Sequence, residues 1–341
     1  MTTRTEAQIL EKWQHHESPL VSITCITYNH EPYIADAIEG FLKQETTFPF
    51  EIIIHDDAST DKTTEIIEAY VKKYPHIIKP IIQKENQSSQ LKKNVLLPII
   101  LTAVLKSKGK YIAYCDGDDY WTDPHKLEIQ IAEMQKYPEC EVSFHPVFRR
   151  RANGKKREKI IAQHSAHNKI FKTKRLVLGA AQFCPTVSFI FKSSVFSAIP
   201  QWLFDAPCTD YFIQILASMN GGAIYINRAM AVYRASSLGS WTEKMSGSEN
   251  FVRVYFEGML QSLKDIDAHT NNKYSKEINT IRRELCFYMC INPVISLKIR
   301  KEIFNENKNK LDIKRRALWH LLFRNKNLSK FIFNVRNNIF N

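Results

Sequence analysis

The segment "YIAYCDGDDYW", residues 111–121, ends an apolar, strand-like run in an acidic turn. With Asp116, Asp118, Asp119 and the following Asp123, four carboxylates fall within eight residues. Carboxylates at this density repel one another, so the turn needs either a positive partner or full contact with water. Two Asp separated by one residue can hold one Mg²⁺ or Mn²⁺ ion, which prefers oxygen ligands and leaves positions open for substrate phosphates. The pattern therefore predicts a divalent-cation site, with a solvated, helix-capping turn as the alternative.

Apolar runs alternate with amphipathic helical segments before this turn. Strands are predicted over 20–29, 50–57, 77–83 and 110–116, and helices over 31–44, 59–74 and 91–107. The alternation is typical of an α/β fold with a mostly parallel sheet flanked by helices, in which ligands bind beyond the carboxyl ends of the strands. Three polar clusters stand at such ends: "TYNHE" (27–31), "DDASTD" (56–61) and "DGDDYWTD" (116–123). We expect the acidic turn to lie at the edge of a site.

The second half of the chain has a less regular pattern. It predicts strands over 186–192 and within 222–234, a helix over 208–220, and mainly helices after residue 249. The domain organisation that we expect is a helical lead-in (1–18), a catalytic domain (19–245, with halves 19–123 and 124–245) and a helical, basic extension (246–341).

The composition excludes several classes of protein. The 341 residues include only 10 Gly, and neither G-x-G-x-x-G nor G-x-x-x-x-G-K-[ST] occurs, which argues against dinucleotide and P-loop folds. The seven Cys lack a C-x-x-C pair and are expected to be reduced. The N-terminus lacks a signal-peptide core, and the longest apolar run, over 95–105, is too short to span a bilayer. A cytoplasmic location is expected.

Positive charge is concentrated in two places. Of the formal net charge of +13, residues 298–341 contribute twelve Lys or Arg against three Asp or Glu, and a second run is "RRRANGKKREK" (149–159). No nucleic-acid recognition motif accompanies them, so no nucleic-acid partner is expected. Apolar residues among the cations of the tail suit peripheral docking on the anionic inner face of the cytoplasmic membrane. The alternative is that the tail packs on the catalytic domain or on a second subunit, as in a homo-oligomer.

Three motifs carry a resemblance to a known family. "VSITCITYNHEPYI", "FEIIIHDDASTD" and "GKYIAYCDGDDYWTDPHKLEIQ" resemble, in order and spacing, the family 2 glycosyltransferases, which have the GT-A fold. The similarity covers about residues 19–242. It is greatest to the branch that builds bacterial lipopolysaccharide, capsule or related surface glycans. It implies a nucleotide-sugar donor, in the first place UDP-linked, a glycan or lipid-linked acceptor, and Mn²⁺ or Mg²⁺.

The resemblance also implies roles for individual residues. Thr27, Tyr28 and Asn29 would line the nucleotide pocket, and Asp56 or Asp57 would bind the base, with the choice between them open. Further nucleotide-sugar contacts would come from Glu31, Asp116, Gly117 and Arg234. Asp118, with Asp119, would bind the metal, and Trp121 and Trp241 would lie on the acceptor side. For Tyr28 the alternative is a core aromatic, and for Asp57 a turn or capping residue.

An inverting transfer also needs a general base that takes the proton of the acceptor hydroxyl. In related enzymes this is an Asp at the start of a helix in the second half, and "APCTDYFIQILASMNG" makes Asp210 the candidate, with a plain helix cap as the alternative. One departure is Ser236, where relatives commonly carry a His that can bind the metal. Either metal binding is then looser, or Arg234 shares in neutralising the diphosphate.

Two other functions compete with sugar transfer. A sugar nucleotidyltransferase also uses an α/β sheet and Mg²⁺, but it usually has a Gly-rich loop and a basic pair after the first strand, which "ITYNHEPY" lacks. A non-catalytic nucleotide-sugar-binding or scaffold protein fits the missing His, but not the presence of both Asp118 and Asp210. The donor sugar and the acceptor are not readable from the sequence.

Overall fold

The structure is a computed structural model that describes residues 4–14, 18–90, 97–151, 159–180, 183–235, 245 and 247–324. The first predicted strands form as β1 (Val21–Thr27), β2 (Phe50–Asp56), β3 (Ile78–Ile82) and β4 (Tyr111–Asp116). They pair in parallel in the order β3-β2-β1-β4. β1 and β2 are buried on both faces, as their unbroken apolar sequences predict.

Helices cover both faces of this parallel half. They are α1 (Glu6–Leu10), α2 (Ile34–Leu42), α3 (Thr63–Lys73), α4 (Gln87–Gln90) and α5 (Leu97–Lys106). α2 buries the face that its spacing predicts, made of Ile34, Ala37, Ile38, Phe41 and Leu42. The predicted start of α5, residues 91–96, lies outside the described residues.

Four further strands extend the sheet in the second half: β6 (Val142–Phe144), β9 (Lys169–Phe171), β10 (Ile190–Lys192) and β11 (Ala223–Tyr225). The full order is β3-β2-β1-β4-β10-β6-β11-β9, and β10 runs antiparallel to β4 and β6. The predicted strand over 186–192 forms only at its end, because Thr186–Ser188 make a 3₁₀ turn after Pro185. The helices here are α6 (Lys126–Lys136), α7 (Thr173–Gly179) and α8 (Thr209–Ala217).

A second, smaller sheet lies beside the acidic turn. It contains β5 (Tyr120–Trp121), β12 (Ala231–Ala235), β7 (Val147–Arg151) and β8 (Lys159–Ile161), in that order. The chain leaves the large sheet at the end of β4 and enters the small sheet at β5, only four residues later. The acidic turn is therefore the link between the two sheets.

The extension contributes α9 (Glu249–His269), α10 (Ser275–Ile291), α11 (Leu297–Asn307) and α12 (Ile313–Arg324). Side chains of α9 and α10 share one hydrophobic core with the sheet, including Met259, Leu263, Ile266, Ile278 and Ile281. Within the described part of the chain, no helix has both the length and the apolar character needed to cross a membrane.

One side of α12, in the basic tail, is buried and the other is exposed. Trp319 stacks on Phe304 of α11, with ring centroids 3.8 Å apart, and Leu322 is buried beside them. Ile313 and Leu321, by contrast, are 78% and 61% exposed. One side of α12 therefore packs on α10 and α11 within the extension, while packing of the tail on the catalytic domain or on a second subunit stays a prediction. The apolar residues 331–333 lie outside the described residues.

Candidate active site

The ends of three strands meet at the carboxyl edge of the large sheet. Thr27 pairs with Asp56 across β1 and β2, and Ile26 pairs with Asp116 across β1 and β4. The three polar clusters that follow these strands therefore lie side by side, although 54 residues (62–115) separate the second cluster from the third in the sequence.

The loop after β1 is fixed by the loop after β2. Asn29 adopts a left-handed backbone conformation (φ 53°), which Asn tolerates better than most residues, and its Oδ1 accepts a hydrogen bond from the Thr60 amide at 2.8 Å. Glu31 Oε2 accepts from the Lys62 amide at 3.2 Å. Asn29 and Glu31, both predicted to contact the nucleotide-sugar, therefore each use a side-chain oxygen to hold the two loops together. Tyr28 is left 41% exposed at the rim, which excludes the core-aromatic alternative.

Asp56 and Asp57 are both buried and both accept hydrogen bonds from the protein. Asp56 accepts from the hydroxyls of Ser59 and Thr64. Asp57 accepts from the backbone amides of residues 87 and 88, at 2.8 and 2.9 Å. Asp56 thus organises the start of α3, and Asp57 joins β2 to α4. A contact of either carboxylate with the base stays a prediction.

Gly117 packs closely against the end of β1. A Cβ atom at this position would lie 2.7 Å from Thr27 Oγ1 and 3.0 Å from His30 Nδ1, so any other residue would clash. These same two atoms are buried without a hydrogen-bond partner in the protein. The acidic turn therefore packs against the end of β1 too closely for another atom to lie between Gly117 and these two polar atoms. From the sequence, His30 was interpreted as a polar filler near the pocket rather than as a ligand contact.

Arg234 of β12 clamps the acidic turn. Its amide donates to Asp119 Oδ1 at 2.7 Å, its Nη1 donates to the Asp118 carbonyl at 2.7 Å, and its Nη2 pairs with Asp36. The guanidinium also packs over the rings of Tyr33 and Tyr120. The side chain is only 7% exposed. Its observed role is to hold the turn, while its predicted contact with the diphosphate stays a prediction.

The carboxylates of the turn are strained electrostatically. Burial, together with the charge of Asp118, raises the pKa of Asp116 to about 7 and raises that of Asp119 well above its ordinary value. A divalent cation would relieve this repulsion, so the raised pKa values fit the predicted metal. Asp119 is 2% exposed and already accepts from Arg234, whereas Asp118 is only partly buried. No group of three His, Cys, Asp or Glu in the described ranges could bind a metal unaided.

Asp210 lies in the first turn of α8. Its charge is near enough to contribute to the raised pKa of Asp116. Thr186 Oγ1 donates to Asp210 Oδ2 at 3.3 Å, and Cys208 Sγ donates to Oδ1 at 3.1 Å. Sequence reasoning missed both donors, because neither residue belongs to a recognisable motif.

Trp121 lies inside the core rather than at an open surface. It is 3% exposed, its ring packs edge-on against Phe41 at 4.8 Å, and its Nε1 donates to the Val187 carbonyl. Any influence on the acceptor would therefore pass through the 3₁₀ turn that contains Thr186. Trp241, the second residue predicted on the acceptor side, and Ser236 lie outside the described residues.

The sequence matches the glycosyl transferase family 2 model over residues 22–199, more than half of the chain. The chain belongs to glycosyl transferase family 2. The predicted family is confirmed, and the chain is a glycosyltransferase of the nucleotide-sugar-dependent kind.

Two relatives of this family 2 enzyme match it over different lengths of the chain. Rv1520, an uncharacterized protein of Mycobacterium tuberculosis, is 32% identical over 252 residues, which are 72% of this chain and 67% of that protein. TuaG of Bacillus subtilis, named for teichuronic acid biosynthesis, is 34% identical over 126 residues, which are 37% of this chain and 46% of the length of TuaG.

Solved structures confirm the predicted GT-A-like fold. S. aureus TarS (residues 1–349), in complex with UDP-GlcNAc, has a TM-score of 0.55 at 18% identity and covers 89% of this chain and 79% of that chain. The mannosyltransferase PcManGT of Pyrobaculum calidifontis, in complex with GDP-Man and Mn²⁺, has a TM-score of 0.52 at 14% identity. The match covers 93% of this chain and 84% of that chain.

A buried lysine beneath the site allows a test of these electrostatics. Lys126 is fully buried, and its Nζ lies 4.0 Å from the centre of the Trp121 ring without a hydrogen-bond partner in the protein. Burial lowers the pKa of Lys126 to about 7, although the nearby Cys115 acts in the opposite direction. Between pH 7 and about 10.5 the unfolded chain therefore binds a proton that the folded enzyme does not.

We predict that Lys126→Met stabilises the enzyme by an amount that depends on pH. The gain should be largest at pH 6–7, on the order of a few kcal/mol, and should shrink as the pH rises toward about 10.5, because the unfolded chain, which alone keeps this proton, is favoured less as protons become scarcer. Thermal unfolding from pH 6 to 9.5 measures it. Lys136→Met, at the exposed end of the same helix, is the control. A loss of stability at every pH would show that the contact with Trp121 outweighs the cost of burial.

Proposed function

We propose that this enzyme is an inverting glycosyltransferase with Asp210 as the general base and a divalent cation held at the acidic turn. The observation that carries the proposal is that Asp210, in the first turn of α8, lies near enough to the acidic turn to affect the pKa of Asp116. An inverting transfer needs this pair of opposed functions, a base for the acceptor and a positive centre for the leaving group.

The donor would lie along the carboxyl ends of β1, β2 and β4. Tyr28 is exposed beside the site and can stack on the base, and the polar edge of the base would face Asp56 or Asp57. Asp116 ends β4 and is the candidate for the ribose hydroxyls. A UDP-linked sugar is the donor proposed first, supported by the UDP-GlcNAc complex of TarS. The GDP-Man complex of PcManGT makes GDP-sugars the second class to examine.

The diphosphate would lie against Asp118 through Mn²⁺ or Mg²⁺, with Asp119 as the second candidate ligand. Such ions are commonly held by one or two carboxylates, water and substrate phosphates, so the lack of a three-ligand cluster in the described residues agrees with a metal that arrives with the donor. The bound ion would stabilise the negative charge of the departing nucleoside diphosphate. Arg234 keeps the turn in place, which fixes the position of Asp118.

Asp210 would accept the proton of the acceptor hydroxyl as that oxygen attacks the anomeric carbon. The attack must come from the face opposite the leaving diphosphate, so the acceptor would enter from the side of α8 and of the 3₁₀ turn at Thr186–Ser188. The name of TuaG supports a bacterial surface glycan, or its lipid-linked precursor, as the acceptor. A screen of nucleotide-sugars, read by the intact mass of the products and by donor hydrolysis, tests this assignment. Turnover of no nucleotide-sugar would favour the scaffold alternative.

We predict that Asp210→Asn retains donor binding but loses nearly all turnover, because the amide keeps the shape of the side chain and cannot take a proton. Catalysis by a positioned base typically contributes a factor of about 10² to 10⁴. Calorimetry with the donor and steady-state rates measure the two effects separately. Asp205→Asn, an exposed change in the same half, is the control. Collapse of donor affinity would make Asp210 a binding residue instead.

Asp118→Ala should abolish transfer without lowering the stability of the metal-free protein. Its loss removes repulsion at Asp116 and Asp119, so unfolding in a chelating buffer should occur at the same or a higher temperature. The stabilisation that Mn²⁺ and UDP together give the wild-type enzyme should disappear. Normal turnover, or an unchanged stabilisation by Mn²⁺ and UDP, would remove Asp118 from the metal site.

We further propose that α12 docks the enzyme on an anionic membrane surface, next to a lipid-linked acceptor. Ile313, Ala317 and Leu321 recur at a spacing of four residues and are all exposed, so they form one apolar stripe. Lys314 and Arg316 flank the stripe. Apolar side chains beside cations are typical of helices that lie in a membrane interface.

Flotation with vesicles of phosphatidylglycerol and phosphatidylcholine tests this docking. The full chain should float at low salt and float less at high salt, because each cation near the surface contributes on the order of 1 kcal/mol. The double variant Ile313→Gln/Leu321→Gln should float less, while the matched change at another exposed apolar residue, Leu105→Gln, should have no effect. Equal flotation of all three proteins, or of none, would contradict the membrane proposal.

A further inference from the structure

The carboxylate of Asp210 is oriented by residues from two distant parts of the chain. Thr186 donates to one of its oxygens and Cys208 to the other, at 3.3 and 3.1 Å. The sulfur of Cys208 is in turn hydrogen-bonded to the hydroxyl of Tyr255, which lies on α9 of the extension. Burial and the charge of Asp210 raise the pKa of Cys208 well above its ordinary value, so this residue is a thiol that can donate.

The helix that carries Tyr255 approaches the base closely. Gly258, three residues after Tyr255, faces Pro207, and a Cβ atom at Gly258 would lie 3.1 Å from the Pro207 ring. Cys208 follows Pro207 directly, and α8 begins at the next residue. α9 therefore packs on the segment that sets where α8, and with it Asp210, begins.

We propose that Tyr255 and Cys208 are positioning residues that form a relay to Asp210. In this relay the Tyr255 hydroxyl holds the Cys208 sulfur, and the thiol holds one carboxylate oxygen while Thr186 holds the other. An ionised carboxylate has about four acceptor positions, so the lone pairs that remain can face the acceptor hydroxyl. The relay transfers no proton. It rests on the proposed function, in which Asp210 is the general base, and it makes α9 part of the catalytic unit.

Three variants test the relay in the full-length enzyme: Cys208→Ala, Cys208→Ser and Tyr255→Phe. Two controls remove comparable buried groups elsewhere: Cys140→Ala, whose thiol bonds the Gly221 carbonyl, and Tyr225→Phe, whose hydroxyl bonds Ser165 and Asn227. The assay is hydrolysis of the nucleotide-sugar identified in the screen, with kcat and KM measured separately from pH 5 to 9. Thermal unfolding of each variant is recorded in parallel.

Cys208→Ala should lower kcat about tenfold and leave KM within about twofold, since one hydrogen bond that orients the base contributes about 1 kcal/mol or somewhat more. Tyr255→Phe should lower kcat about threefold, and Cys208→Ser should retain most of the activity because it keeps a donor. In Cys208→Ala and Tyr255→Phe the acidic limb of the kcat profile should move to higher pH, because a carboxylate with fewer or weaker hydrogen-bond donors is protonated more readily. The controls should change unfolding temperature without moving this limb.

The outcomes separate the relay from the proposed function. If Asp210→Asn lowers kcat but neither Cys208→Ala nor Tyr255→Phe does, the relay is wrong and the base assignment stands. If Asp210→Asn leaves kcat unchanged, both are wrong. A rise in KM at constant kcat in Cys208→Ala would assign Cys208 to donor binding and overturn the relay. If Cys208→Ala fails to fold, Tyr255→Phe, which removes one oxygen atom, decides the question by the position of its acidic limb.

Discussion

Mutual repulsion of carboxylates at a buried strand end is the constraint on which the rest of this structure depends. The acidic turn must be close to the sheet to reach a ligand, yet this closeness raises the pKa of Asp116 to about 7 and destabilises the charged form. The fold holds the turn in place through backbone geometry and one paired cation. Gly117 brings the turn against β1, and Arg234 fastens it from β12 while its own charge is balanced by Asp36. The small sheet is thus best understood as the support of the turn.

The parallel half of the fold could be predicted from the sequence because its signals are local. β1, β2 and β4 are continuous apolar runs, and each is followed by its polar cluster. The sheet edge and most candidate residues for binding the nucleotide-sugar could therefore be named from the sequence. The expected place of the acidic turn then required only the general rule that ligands bind beyond the carboxyl ends of parallel strands. The roles of Asp56, Asp57 and Arg234 were less readable, because a buried carboxylate or guanidinium that shapes a loop looks the same in sequence as one that binds a ligand.

The second half was less predictable because its elements are short and pair across long distances. The run over 186–192 has strand composition, but Pro185 and the bonds that Trp121 and Gln130 make to residues 187 and 188 bend its first part into a 3₁₀ turn. Thr186 reaches Asp210 only through that bend. Cys208 and Tyr255 are 47 residues apart, and nothing in either neighbourhood indicates that they meet. Long-range side-chain contacts of this kind follow from packing, which a local pattern does not encode.

The core that α9 and α10 share with the sheet has a consequence for the evolution and engineering of this chain. Recombination that joins a new acceptor module after residue 245 would leave the partners of Met259, Leu263 and Ile281 uncovered on the catalytic side and would create a hydrophobic patch there. A crossover point after Ile291, where α10 ends, would keep that core whole. Homologues are therefore expected to exchange whatever follows α10 more freely than the two helices themselves. The inherited unit is then longer than the stretch that its sequence motifs mark.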